Sequence, residues 1–168
     1  SKDPTCAHVV KYLRSFEENG NFIVMEAGGQ TAAQWRDNCG LKIPAMLLTI
    51  GPDLLNAIEF LHAEVGLIHC DIKLSNLVMF GGAKKFKLVD IGATQKVGEE
   101  LTEYTHSHLA PEAAQGLIDG RSIYASVALD IWAAGISLLS VCNPQWLEQV
   151  LPEELDVSDP ANTTLILQ

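Results

Sequence analysis

Residues 127–141 read VALDIWAAGISLLSV, a run with one charged side chain, Asp130. A helix apolar on all sides is normally buried in a core. This one is too short for a membrane span, which takes about 20 such residues. The rest of the chain must therefore cover it, and the 168 residues, 48% hydrophobic and 19% charged, are ample for a core. Such a composition excludes a disordered chain. The length is that of one domain. No run of about 18 apolar residues is present. The first residues, SKDPTCAHVV, carry no signal-peptide pattern, so neither a membrane span nor secretion is expected.

The formal net charge of -10 argues against a nucleic-acid partner, which needs a basic footprint. Residues 1–96 carry ten basic and ten acidic side chains, whereas 97–168 carry Arg121 against eleven acidic ones. The acidic half reads as a solvated face. Cys6, Cys39, Cys70 and Cys142 stand far apart with no C-x-x-C pair, which predicts isolated thiols in a reducing compartment and a cytoplasmic location.

Two β-rich runs, 8–16 (HVVKYLRSF) and 21–25 (NFIVM), flank Asn19-Gly20, a hairpin signal. Gly28-Gly29 leads into a short helix over 31–38 with Thr31 as N-cap. Leu54, Leu55, Ile58, Leu61, His62 and Val65 recur at helical spacing, and Gly66 closes that helix. Gly51-Pro52 predicts a kink, with 44–50 as a distinct or bent turn. Short strands are expected at 67–69, 77–80 and 86–89, with a turn at 81–85 between the last two. About twenty residues after Asp90 show no period, the mark of a functional loop. Residues 146–151 read as a further short helix, and the tail from Pro152 as acidic and loose.

The chemistry lies in Ile68-His69-Cys70-Asp71-Ile72-Lys73-Leu74-Ser75-Asn76, then Val89-Asp90-Ile91-Gly92 and Leu109-Ala110-Pro111-Glu112. Singly, each is an ordinary turn or cap. Phe60-Leu61-His62 precedes them and Asp130-Ile131-Trp132-Ala133-Ala134-Gly135 follows. In this order and spacing they resemble the eukaryotic protein kinase family of Ser/Thr type, with its H-R-D-L-x-x-x-N, D-F-G and A-P-E signatures. The resemblance covers about residues 8–150. It implies an α+β, protein-kinase-like fold with a mainly helical large lobe, short β-hairpins and an incomplete small lobe. Residues 1–28 would be a small-lobe remnant, 29–151 the large lobe and 152–168 the tail.

The resemblance also implies roles, with ATP and Mg²⁺ as cofactors and a protein as substrate. Asp71 would orient the attacking hydroxyl and Lys73 offset the charge of the transferring phosphoryl group, while Asn76 and Asp90 would hold Mg²⁺. Met25, Glu26 and Gly28 correspond to the hinge that meets adenine, and Val78 to the apolar floor beneath it. Thr105 would face Asp71 and Lys73, which favours a Ser/Thr acceptor. His69, Gly92, Glu112 and Asp130 carry structural roles, Asp130 as the tie on the catalytic-loop backbone. Small-molecule kinases of the choline and aminoglycoside type share H-x-D-x-x-x-x-N but lack A-P-E and D-x-W-x-x-G.

Three positions depart from the pattern. Cys70 replaces the arginine that meets an activation-loop phosphate, Ile91 replaces the D-F-G phenylalanine, and Leu74 replaces a proline. No G-x-G-x-x-G-x-V loop and no V-A-I-K strand precede His8. The chain is thus expected to be inactive alone, as the middle of a kinase domain; a kinase-like interaction module without catalysis is the alternative. The 22–25 strand and adenine floor should then form an apolar patch that a partner covers.

Overall fold

The structure, a computed structural model, describes residues 7–81 and 85–145. Cys6, the middle of the 81–85 turn, the helix expected at 146–151 and the tail from Pro152 lie outside the described residues.

Strands β1 (Tyr12–Glu17) and β2 (Asn21–Met25) form the expected hairpin, with Phe16 opposite Phe22 and Glu17 opposite Asn21. Asn19 at φ 54° and Gly20 at φ 154° make the reversal. The Phe16 and Phe22 rings stack at 5.0 Å. Tyr12, Leu13, Phe16, Phe22, Ile23 and Met25 are all exposed, so this hairpin leaves apolar side chains open to solvent.

Helix α1 (Ala32–Asn38) begins in a capping box. Thr31 Oγ1 accepts the Gln34 amide at 3.2 Å and Gln34 Oε1 accepts the Thr31 amide at 3.0 Å. Helix α2 (Ile43–Glu59) differs from expectation: it runs unbroken through Pro52, with no separate turn over 44–50. The carbonyl that Pro52 leaves without an N–H partner belongs to Leu48, a residue that is 78% exposed. A wider turn, Phe60–Val65, extends the helix to Gly66 at φ 75°. The combined 43–65 helix has 23 residues and mean hydropathy 1.2, enough by length and composition to cross a membrane. Core helices of soluble proteins pass the same test, and α2 packs against α4 and β5.

Strand β3 (Leu67–Ile68) pairs with β6 (Gln95–Lys96), and β4 (Leu77–Phe80) with β5 (Lys85–Leu88), both antiparallel. Both β3 and β5 end one residue before the expected position. The His69 amide goes to Asp130 and the Val89 amide to Asn76, so neither continues a ladder. Upstream, the Leu88 amide donates to the His8 carbonyl at 2.8 Å. Helices α3 (Pro111–Ile118) and α4 (Val127–Cys142) complete the order.

Two cores form. One joins α1, α2, β4, β5 and α4 through Trp35, Leu54, Leu77, Phe86 and Val141. The other gathers Ile68, Leu101, Leu109, Ala113, Ile123 and Leu129. Helix α4 contributes to both, but it is not buried all round: Val127, Ile131, Trp132 and Leu139 are 40–51% exposed. Its buried side includes the small residues Ala133, Ala134, Ser137 and Ser140, which let neighbouring elements approach closely.

Candidate active site

The loop between β3 and β4 is built on Asp130. Its Oδ2 accepts the His69 amide at 2.7 Å and bonds His62 Nε2 at 2.8 Å, and its Oδ1 accepts the Cys70 amide at 2.9 Å. Cys70 sits at φ 69°, a left-handed conformation that costs about 1 kcal/mol or more for a side-chain-bearing residue. Two charge-assisted bonds to adjacent amides offset it. Asp130 thus holds two consecutive amides of this loop.

His69 is fully buried. Its Nδ1 accepts the Asp71 amide at 3.2 Å, which leaves Nε2–H to donate to the Val89 carbonyl at 3.1 Å. Burial pushes this imidazole down from its ordinary value, against the opposing pull of Asp130 and the Val89 carbonyl. It is a neutral spacer between the Asp71 loop and the strand that leads to Asp90.

The loop then presents Asp71. Thr105 Oγ donates to Asp71 Oδ1 at 2.5 Å, and Asn76 Nδ2 donates to Oδ2 at 2.8 Å. Lys73 Nζ lies 3.1 Å from Oδ2 and donates to the Thr105 hydroxyl at 2.9 Å. Burial alone would raise the Asp71 carboxyl. The bonds from Thr105 and Lys73, the charge of Lys73 and the Asn76 amide outweigh it, and the group lies below its usual range. The result is an ionised carboxylate at neutral pH with both oxygens oriented.

Asn76 is buried and also donates to the Asp71 carbonyl at 2.9 Å. With its amide nitrogen committed, its oxygen remains for a cation. Asp90, exposed at φ 58° after β5, has no hydrogen bond to its carboxylate among the described residues. It is coupled to Asn76 by the Val89 amide, which donates to the Asn76 carbonyl at 2.9 Å. Two hard oxygens suit Mg²⁺, which takes one or two protein ligands and completes its shell with phosphate and water. Among the described residues no three His, Cys, Asp or Glu side chains converge on one point.

The positions expected to form the hinge, Met25, Glu26 and Gly28, lie at the end of β2 and just after it. Met25 is 40% exposed. Glu26 turns its carboxylate to the Lys11 amide at 2.8 Å and to Lys87 Nζ at 2.5 Å. Gly28 abuts Val78 so closely that a Cβ would sit 2.4 Å from Val78 Cγ1 and 2.9 Å from Phe80 Cζ. The structure therefore unites Gly28 with Val78, while Glu26 faces β5 instead. Gly92 lies in the turn Ile91–Ala93 next to Asp90. Glu112 stands apart, exposed on the first turn of α3 beside Ile131, Trp132 and Leu139.

Three contributors escaped the sequence reading. His62 was legible only as a helix-end residue, yet it is a partner of Asp130. Asp53 Oδ2 accepts the Phe86 amide at 2.7 Å and its Oδ1 lies 3.0 Å from His8 Nδ1, which pins β5 to α2. His108, 7% exposed, has its Nδ1 3.0 Å from Ser107 Oγ. Burial and then the charge of Lys73 push its imidazole down to about 4, against the opposing Asp71 carboxylate. With Cys70, Asp71, Tyr104 and Thr105 it lines a cavity of about 20 Å³, large enough for one water. Cys70 itself, turned toward the Ile68 carbonyl, is raised to about 12 by burial and by the charges of Asp130 and Asp71, the Gln95 backbone opposing, so it is no nucleophile.

A family model for the protein kinase domain matches residues 2–154. Mitogen-activated protein kinase kinase kinase 18 of Arabidopsis thaliana is 34% identical over 107 residues, 62% of this chain and 30% of that protein. Serine/threonine-protein kinase Kist of Homo sapiens is 36% identical over 97 residues, 53% of this chain and 23% of that protein. The membrane-associated tyrosine- and threonine-specific cdc2-inhibitory kinase of Drosophila melanogaster is 29% identical over 161 residues, 86% of this chain and 29% of that protein. The chain thus spans less than a third of the length of these curated relatives.

Proposed function

Because the chain belongs to the protein kinase domain family, we propose that it carries the catalytic loop of an enzyme that transfers the γ-phosphoryl group of ATP to a protein serine or threonine. The observation that supports this most is the Asp71 carboxylate, held by Thr105, Lys73 and Asn76.

Phosphoryl transfer goes through a loose transition state, so the protein's task is positioning and charge compensation. Asp71, ionised and with both oxygens aimed, accepts a hydrogen bond from the incoming hydroxyl and takes its proton as the bond to phosphorus forms. General-base help of this kind is worth about 10²- to 10⁴-fold. Lys73 places a fixed positive charge beside that point, where developing negative charge is stabilised. Asn76 and Asp90 would hold Mg²⁺, which when bound neutralises phosphate charge. The hydroxyl of Thr105 joins Asp71 to Lys73 and marks where an acceptor hydroxyl can approach.

A second reading, a kinase-like interaction module without catalysis, is favoured by the exposed apolar side chains of the β1–β2 hairpin. One experiment separates the two. The 168-residue chain is titrated with Mg²⁺ and ATP by calorimetry, then assayed for transfer of labelled phosphate to a serine/threonine peptide library, with Asp71→Asn alongside. The sequence holds no G-x-G-x-x-G-x-V pattern, so the chain alone is expected to bind little nucleotide and to transfer nothing. The chain joined to a kinase small lobe that carries that pattern should transfer phosphate, and Asp71→Asn should abolish that transfer. Transfer unchanged by Asp71→Asn overturns the role of Asp71. Absence of transfer from the joined protein under saturating nucleotide leaves the interaction module as the reading.

A further inference from the structure

The segment between β6 and the 106–108 turn has no side-chain period in the sequence, yet it is tied down by backbone. The Gly98 amide donates to the Ala125 carbonyl, the Ala125 amide to the Glu99 carbonyl and the Leu101 amide to the Ile123 carbonyl, each at 2.8 Å, with Glu100 opposite Tyr124. This makes a short antiparallel ladder between 98–101 and 123–125. Its outer side carries one cross-strand latch, in which Ser122 Oγ donates to Glu100 Oε1 at 2.5 Å. Its inner side buries Leu101, Ile123 and Ala125 in the second core, where Cys70 and Tyr104 also pack.

We infer that this ladder, closed by the Glu100–Ser122 latch, is what holds Thr105 against Asp71, and that Glu100 and Ser122 are positioning residues for transfer. The inference rests on the proposed role of Asp71, Lys73 and Thr105. Thr105 follows Leu101 by four residues, a reach of about 14 Å at most. On its other side it is followed by Leu109, 6% exposed in the same core. The hydroxyl is therefore clamped from both sides, and only the upstream clamp depends on surface groups. A functional hydroxyl has to be placed to within about 0.5 Å. Cys70 offers no positive charge with which an anionic group on this segment could be paired, so the ladder and the apolar cluster hold it without one. Loss of the latch frees 98–101, and with it the position of Thr105.

The test is amide hydrogen exchange on the full 168-residue chain, together with the Thr105 side-chain chemical shifts followed by NMR at fixed pH. Ser122→Glu sets two carboxylates against each other across the ladder. It should speed exchange at Gly98, Leu101 and Ala125 by about 3- to 10-fold. The same increase should spread to the Thr105 turn, read at the His108 amide that donates to the Thr105 carbonyl at 3.0 Å, and the Thr105 side-chain shifts should move as its bond to Asp71 weakens. Glu100→Lys combined with Ser122→Glu restores attraction and should reverse both effects. Faster exchange at 98–101 with the Thr105 turn and its side-chain shifts unchanged overturns the inference, as does no change at 98–101. Should Ser122→Glu fail to fold, exchange of the unsubstituted chain in rising denaturant decides. Opening of 98–101 and the Thr105 turn as one unit supports the inference, and independent opening overturns it. None of these readouts needs activity, so absence of phosphoryl transfer counts against the proposed function alone.

Discussion

Asp130 and Cys70 are 60 residues apart in sequence, and Oδ1 of the first accepts the amide of the second at 2.9 Å. With Oδ2 on the His69 amide and on His62 Nε2, one buried carboxylate satisfies two consecutive amides and an imidazole. The geometry explains why an otherwise apolar helix carries a charge on its packed side. A buried charge is tolerated when its oxygens are filled by donors.

Asp130→Ala leaves those donors buried without an acceptor and should cost about 3–5 kcal/mol of stability. That is a large part of the roughly 5–15 kcal/mol typical of a domain. Asp130→Asn keeps one acceptor oxygen and should lie between. Urea unfolding of the three proteins checks the order; an Asp130→Ala chain as stable as the parent would refute the tie.

Acid should destabilise the fold before its carboxylates protonate. His108 has a folded value near 4 against an ordinary 6.5, because burial and Lys73 disfavour its charged form. A base depressed in this way contributes stability that is complete above about pH 6.5 and lost as pH falls toward 4. The loss is on the order of 2–3 kcal/mol. The Asp71 carboxyl lies below 3.8 and contributes its own loss only at still lower pH. Chemical denaturation at a series of pH values should show a slope between 6.5 and 4 that His108→Gln reduces. His69, also depressed by burial, should add to the slope in the same direction.

Gly28 has no room for a side chain. A Cβ there would meet Val78 Cγ1 at 2.4 Å and Phe80 Cζ at 2.9 Å, and neither a valine methyl nor a buried ring withdraws easily. Gly28→Ala should cost about 1–3 kcal/mol. Gly29→Ala, 3.4 Å from the Met79 carbonyl, should be milder. Thermal unfolding of both variants checks this, and equal effects would show that the hinge shifts away from Val78.

The Thr31 cap and the Gly66 stop were legible because each acts on its immediate neighbours, and the 68–76 loop because its consecutive residues carry a family signature. The features that were not legible depend on distant partners. Pro52 reads as a break, but α2 runs through it at a turn where Leu48, four residues back, is on the exposed side. Strand β6 has two residues, too few for any period. Helix α3 turns small residues, Ala113, Ala114 and Gly116, inward, so its buried face carries little hydrophobic signal. The 98–101 ladder is made by main-chain groups that no side-chain pattern announces. The apolar content of α4 predicts burial on every side, yet small residues take the packed face and Ile131 and Trp132 project outward.

The tie from Asp130 also sets an order in time. A ribosome adds roughly 5–20 residues per second, so the 60 residues between Cys70 and Asp130 take roughly 3–12 seconds to follow. During that interval the loop that bears Asp71 exists without its acceptor, and water holds the amides of His69 and Cys70. Chains released before residue 130 should accordingly show no exchange protection at those two amides, whereas chains extending through α4 should. Completion of the loop is thus governed by synthesis of a helix far downstream, and slow codons between the two would lengthen its vulnerable period.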